Sequence, residues 1–144
     1  MATGNAVDEV AQAIHRLLWA TGAFKTGTPY TRRAIGTTPA YMVWWDGCSF
    51  AGEPQAKPMP TEITHRYQVE LFSKLTGNED ESQGRFNALV QTAVTAIRDN
   101  PRLNRTCLRS KVTEVTPDIW TADENGNNPH LQATIIIDAV RTDW

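Results

Sequence analysis

Three histidines, His15, His65 and His130, are the side chains in this sequence best suited to act as catalytic bases. A hydrolase or transferase needs a nucleophile beside such a base, and none of the three lies in a recognised catalytic motif. His15 falls beside the apolar stripe of a predicted helix, His65 on the inward face of a predicted strand, and His130 at the start of the last strand. We therefore predict structural histidines and no catalytic residue.

The other reactive side chains give no stronger signal. The sequence contains no HExxH, GxSxG, Walker or GxGxxG motif. Cys48 and Cys107 form neither a CxxC pair nor a Cys/His ligand spacing, which predicts two buried thiols in a reducing compartment. Asp46, Glu70 and Asp138 could pair if the fold brought them together, but solvated strand positions are the simpler interpretation. We predict no metal site, no cofactor and no enzymatic activity.

Charge is distributed unevenly around the second predicted helix. Five cations surround its end, namely Arg98, Arg102, Arg105, Arg109 and Lys111. Three acids precede its apolar pattern, namely Glu79, Asp80 and Glu81. The cations either complement the helix dipole or form an interface. In the second case, unlike charges would pair head-to-tail between identical copies, which closes into a ring or continues as a filament.

Two adjacent tryptophans form the second candidate contact surface. Trp44 and Trp45 lie on one predicted strand, so their side chains face opposite sides of the sheet. One can pack under helices, whereas the other must meet a loop, a partner or solvent. Because exposed tryptophan favours contact surfaces, we predict that this pair belongs to an interface.

Apolar periodicity predicts the elements that position these residues. Residues 7–18 and 86–97 have the three- and four-residue spacing of amphipathic helices. Asn5 or Thr3 caps the first helix, and Pro101 ends the second by removing a backbone donor.

Four segments have the pattern of strands, at 41–45, 63–71, 108–116 and 131–141. Asp46-Gly47 predicts a tight turn after the first strand, and Pro117 is expected to close the third. Residues 26–39 and 51–60 read as loops, and residues 123–129 as a hairpin tip. The order predicts an α+β fold, with a mixed or antiparallel sheet of about four to five strands packed against two helices.

Size and composition limit the class of protein. The 144 residues fit a single domain spanning 1–144. The formal net charge of −2 argues against a surface that coats nucleic acid. No secretion signal is apparent, and no apolar run is long enough to cross a bilayer, so we expect no membrane partner.

The chain resembles the tail terminator, or tail completion, proteins of long-tailed bacteriophages, the lambda-type family. The resemblance covers nearly the whole chain. After the first helix it lies in Pro39-Ala-Tyr-Met-Val-Trp-Trp45, a Gly/Pro-containing loop and Tyr67-Gln-Val-Glu-Leu-Phe72. It continues through the second helix into Asp99-Asn-Pro-Arg-Leu103 and a final strand pair. Leu103 is followed by Asn104-Arg105, where the family often has a Leu-Gly-Gly turn.

The resemblance implies a structural virion protein at the junction of tail and neck, assembled in the host cytoplasm. Identical subunits, six in this family, would form a ring on the tail tube protein, stop tube polymerisation and present a platform to the head-side connector. DNA would pass through the ring without sequence-specific binding. The resemblance also predicts that residues 48–59 and the acids at 79–81 contact neighbouring subunits or the tube.

Two alternatives stay open. Another phage neck or head-completion protein has a similar size. A small α+β enzyme or ligand-binding module could instead use the inward face of the sheet as a pocket, with His65, Tyr67 and Asp138 converging there.

Overall fold

The computed structural model describes residues 5–31, 36–51, 62–121 and 129–142. These residues form two helices and five strands: α1 (Ala6–Trp19), β1 (Thr26–Thr28), β2 (Ala40–Phe50), β3 (Ile63–Lys74), α2 (Glu79–Arg98), β4 (Arg109–Thr121) and β5 (Pro129–Arg141). The strands make one sheet in the order β1-β2-β3-β5-β4. Only the β1–β2 pair is parallel, and the other pairs are antiparallel. The predicted α+β class is confirmed.

Helix α1 begins where the sequence predicts. The Asn5 side chain accepts a hydrogen bond from the Asp8 amide at 2.8 Å, which satisfies one of the free donors at the helix start. Asp8 and Glu9 occupy the first turn, where carboxylates favour the positive end of the helix dipole. The buried stripe includes Ile14 and Leu18, both 0% exposed.

Both helices contribute to one core on one face of the sheet. That face carries alternate residues of the central strands, including Tyr67, Val69 and Ile135, all 0% exposed. Tyr67 reaches α1 directly, because its hydroxyl donates to the Val7 carbonyl at 2.7 Å. We call this side of the sheet the helix face and the other side the open face.

The structure corrects three predicted strand boundaries. Residues 26–39, predicted as a loop, contain the short strand β1, which pairs with Ala40–Met42 of β2. Asp46-Gly47 does not stop β2, because a bulge between Trp45 and Cys48 absorbs the extra residue and pairing with β3 continues to Phe50. Pro117 does not close β4, since proline is tolerated on an edge strand, and β4 runs on to Thr121.

Helix α2 ends before the proline that was expected to end it. Its last residue is Arg98 and its C-cap is Asp99, so Pro101 belongs to the connection that follows. Residues 123–128 of the predicted hairpin tip, most of the predicted loop at 51–60, and the alternative cap Thr3 lie outside the described residues, whereas Pro129 belongs to β5.

Candidate functional site

The histidines hold structural positions in the described chain. His65 is 0% exposed, and its Nδ1 accepts a hydrogen bond from the Trp45 indole at 3.3 Å. His15 Nδ1 lies 2.7 Å from the Tyr41 hydroxyl, which also donates to the His15 carbonyl at 3.0 Å. Burial, with a smaller effect of Arg16, lowers the pKa of His15. The contacts of Tyr41 with His15 hold α1 against β2, whereas the contact of Trp45 with His65 joins β2 to β3 within the sheet.

The pocket suggested for an enzyme or binding module does not form. His65 and Tyr67 lie on the helix face, whereas Asp138 pairs with Arg66 on the open face. The prediction that the three converge is therefore wrong. Side chains alternate between the two faces along paired strands, and Asp138 lies on the face opposite to that of His65 and Tyr67.

Two of the three candidate carboxylates do approach each other on the open face. Asp46 and Asp138 both line a depression of about 250 Å³ that also contains Arg66. The Arg66 Nε lies 3.1 Å from Asp138, and Gln68 donates to Asp46 at 2.9 Å. The Asp138 charge is balanced by Arg66, and one Asp46 oxygen is hydrogen-bonded by the neutral Gln68 amide, so the two carboxylates have separate partners. Glu70 is not among the residues lining that depression, and burial raises the pKa of its carboxyl group.

Neither thiol has a metal or disulfide partner among the described residues. Both cysteines are free, Cys48 half-buried and Cys107 buried. Burial raises the pKa of Cys107 to about 11, so this thiol stays protonated at neutral pH. Within the described ranges, no group of three or more His, Cys, Asp or Glu side chains could hold a metal ion.

The two tryptophans separate as strand alternation predicts. Trp44 lies opposite Gln68 on the open face, and Trp45 opposite Tyr67 on the helix face. Trp45 remains 37% exposed. The Trp44 indole N–H is buried without a hydrogen-bond partner in the described part of the chain. Their membership of an interface stays a prediction.

The first turn of α2 forms an acidic end, which consists of Glu79, Asp80 and Glu81, all exposed. Asn78 caps the helix by accepting from the Glu81 amide at 3.0 Å. Glu81 also lies 3.6 Å from Arg85, one turn further along. Because both side chains of this pair are largely exposed, it neutralises the acidic end only weakly.

The opposite end of α2 carries the predicted cations. Arg98, Arg102 and Arg105 are exposed and make no ion pair within the described chain, and we call them the basic end. Arg109 differs, because both of its terminal nitrogens donate to the Glu62 carboxylate, at 2.7 and 3.3 Å. This hydrogen bonding lowers the pKa of Glu62. Arg109 therefore has an intramolecular partner, unlike the three arginines of the basic end.

An unusual turn presents the basic end. Leu103, Asn104 and Arg105 have φ angles of 45°, 56° and 65°, three consecutive left-handed residues without a glycine. Each such residue costs about 1–2 kcal/mol, so the surroundings must hold the turn in place. Leu103 anchors it, 0% exposed, and the Thr106 amide closes it on the Arg102 carbonyl at 3.0 Å. The turn fixes Arg102 and Arg105 at its outer side.

The sequence predicted which charged residues surround α2. It did not predict the left-handed turn that positions Arg102 and Arg105 or the ion pair that occupies Arg109. Only Asn104 hinted at the left-handed turn, since asparagine tolerates this conformation better than most residues. The Glu62–Arg109 pair joins positions 47 apart in sequence, which no local pattern predicts.

No model of a known protein family matches this chain, and a search of curated proteins finds no relative. Across the described residues, no helix combines the length and the apolar character needed to span a bilayer. The site therefore has to be interpreted from its own geometry.

Proposed function

We propose that this chain is a structural subunit that assembles head-to-tail with identical copies into a ring, and that the ring caps the tail tube of a long-tailed bacteriophage. Its residues act by shape and charge, without catalysis. The resemblance to lambda-type tail terminator proteins supports the phage assignment.

The observation that carries the proposal is the opposite charge at the two ends of α2. A helix of 20 residues is about 30 Å long, so the acidic and basic ends of one copy cannot reach each other across it. Both ends keep exposed charges with no intramolecular partner among the described residues. A second copy offers the complementary end, and such a contact is heterologous.

A ring built from heterologous contacts has no two-fold axis that would exchange its two sides. Its two sides therefore differ, as a cap requires. Tube growth ends when the terminal ring offers one surface to the tube and a different surface on its far side. In this proposal the tube protein and the head-side connector bind opposite sides of the ring. DNA passes through it without sequence-specific binding, which suits the net charge of −2. Six subunits, and a location at the tail-neck junction of the virion, are what the resemblance implies.

The first test is the assembly state of the purified protein. Sedimentation velocity at low ionic strength should give a species several times heavier than the 16.0 kDa chain, and negative-stain images should show closed rings. Raising the salt to about 1 M, where the Debye length is about 3 Å, should shift the population toward single subunits. A protein that sediments as a single subunit at every concentration and salt level contradicts the proposal.

A second test addresses the tube. Tail tubes that grow without limit in the absence of this protein should acquire a uniform length when it is added, with extra density at one end. Tubes of unchanged length distribution would contradict the capping role while leaving ring formation intact.

A further inference from the structure

A cleft of about 420 Å³ lies between the start of α2, the starts of β1 and β2, and the end of β3. Its volume falls in the range of pockets that hold small organic ligands. Four separate segments of the chain line it: Lys25 before β1, Thr38 and Pro39 before β2, the end of β3 with the turn that follows, and the first three turns of α2.

Every titratable side chain among the described lining residues is a cation. Lys25, Lys74 and Arg85 come from three of the four segments, and no carboxylate lines the cleft. The two lysines make no ion pair in the described chain, and Arg85 has only its weak contact with Glu81. Like charges around one concavity raise its positive potential and attract an anion.

Hydroxyl groups supply directional donors between the cations. Thr38, Ser73, Thr76 and Ser82 all line the cleft. Ser82, only 4% exposed, accepts from the Thr76 amide at 3.1 Å, and its Oγ lies 2.6 Å from the Thr76 Oγ1. This contact fixes both oxygen atoms and uses one of the two hydroxyl hydrogens, so one hydroxyl of the pair, together with those of Thr38 and Ser73, remains to donate. Cations together with preoriented hydroxyls are the donor set that phosphate oxygens accept.

Apolar side chains complete the lining. Leu89 and Pro39 add a non-polar surface to the charged one. A cleft of this size exceeds what a bare inorganic anion fills, so the ligand should carry an organic body beside its charge.

We propose that this cleft binds a phosphate ester, with Lys25, Lys74 and Arg85 contacting the phosphate and Leu89 with Pro39 contacting the attached organic group. A free nucleotide and the backbone of a nucleic acid strand present the same chemistry. The cleft borders the acidic end of α2, since Arg85 contacts Glu81, and lies at the opposite end of the helix from the basic end.

The test is a titration followed by amide NMR, with adenosine monophosphate, inorganic phosphate and a short single-stranded oligodeoxynucleotide as probes. Adenosine monophosphate should shift the Lys74 and Thr76 amide signals, and inorganic phosphate should bind at the same amides more weakly. Lys25→Gln and Lys74→Gln should each reduce affinity about tenfold, because a charged hydrogen bond contributes about 1.5–3 kcal/mol. Lys111→Gln, an equal loss of charge at an exposed lysine on β4, is the matched control.

The oligonucleotide arm distinguishes the two sources. Salt-sensitive binding that is lost in the Lys25 and Lys74 variants assigns the site to a nucleic acid backbone, whereas binding of the mononucleotide alone assigns it to a small molecule. The proposal is overturned if no amide of the cleft responds to the mononucleotide, or if both variants and the control bind equally well. Charge variants at the basic end, which lies at the far end of the 20-residue helix α2, should leave this binding unchanged.

Discussion

Gly27 of β1 lies against the phenol ring of Tyr41, its partner across the parallel β1–β2 pair, so that a Cβ at position 27 would overlap the ring. Tyr41 is held on its other sides by His15 and by the edge of the Phe24 ring, 4.8 Å away between centroids. These contacts restrict how far the ring can move away from position 27. This contact explains why a strand of only three residues docks at a defined register.

We predict that Gly27→Ala destabilises the protein by about 1–3 kcal/mol, the usual cost of overpacking. The measurement is the urea midpoint, followed by far-UV circular dichroism. Gly84→Ala is the matched control, because nothing lies within 4 Å of a Cβ at position 84 and the residue is inside α2. The control should be more stable than wild type by about 1 kcal/mol, since alanine favours a helix over glycine. Equal effects of the two substitutions would contradict the packing at Gly27.

The hydrogen bond from Tyr67 to the Val7 carbonyl gives a second prediction. Tyr67→Phe keeps the ring and removes a 2.7 Å hydrogen bond at a site that is 0% exposed. We expect a loss of about 1 kcal/mol in unfolding free energy, with an unchanged dependence on denaturant. Tyr30→Phe removes a hydroxyl from a residue that is 45% exposed and should change stability by less than about 0.5 kcal/mol. A neutral Tyr67→Phe substitution would show that this hydrogen bond does not help to hold α1 on the sheet.

Glu70 predicts a pH dependence. Burial raises the pKa of its carboxyl group in the folded state above the ordinary value of 4.5. The stability associated with the protonated form is therefore complete below pH 4.5 and is lost as the pH rises through the folded pKa. Glu70→Gln should stabilise the protein at pH 7, by about 0.5 kcal/mol because the group is partly solvated.

Near pH 4 the Glu70→Gln variant and the wild type should have the same unfolding free energy, because the side chain at position 70 is neutral in both. Urea unfolding at several pH values measures the difference. A stabilisation that is equally large at pH 4 and pH 7 would mean that ionisation of Glu70 is not its cause.

The parts of the fold that follow from local chemistry were predictable from the sequence. Asn5 and the apolar spacing of α1 are local signals, and the structure confirms both. Gly47 does adopt the positive φ expected of it, 94°, but the chain continues as a strand because β3 supplies partners beyond the bulge. Likewise Pro117 is compatible with β4 only because β4 lies at the edge of the sheet. Where a strand ends thus depends on the strands that pair with it, and these are distant in sequence.

The charged residues of the candidate interface were predictable from the sequence, whereas their positions and partners were not. Acids at one end of α2 and arginines at the other are visible in the sequence. Which arginines stay unpaired depends on Glu62, which neutralises Arg109 from a distant strand end. How Arg102 and Arg105 are presented depends on Leu103, whose burial holds the left-handed turn.

The most direct test of the account mixes two charge-reversed variants. Glu79→Lys/Asp80→Lys removes the acidic end, and Arg102→Glu/Arg105→Glu replaces the basic end, so each variant alone should sediment as a single subunit at low salt. Equimolar mixing offers two complementary contacts. One joins the unchanged acidic end of one variant to the unchanged basic end of the other, and the second joins the two reversed ends, whose charges are again opposite. We predict that the mixture assembles into complexes of several subunits in which the two variants alternate. Arg109→Gln, a change at an arginine that is already paired with Glu62, should assemble like wild type. Variants that assemble as wild type does, or a mixture with no complex, would contradict the account.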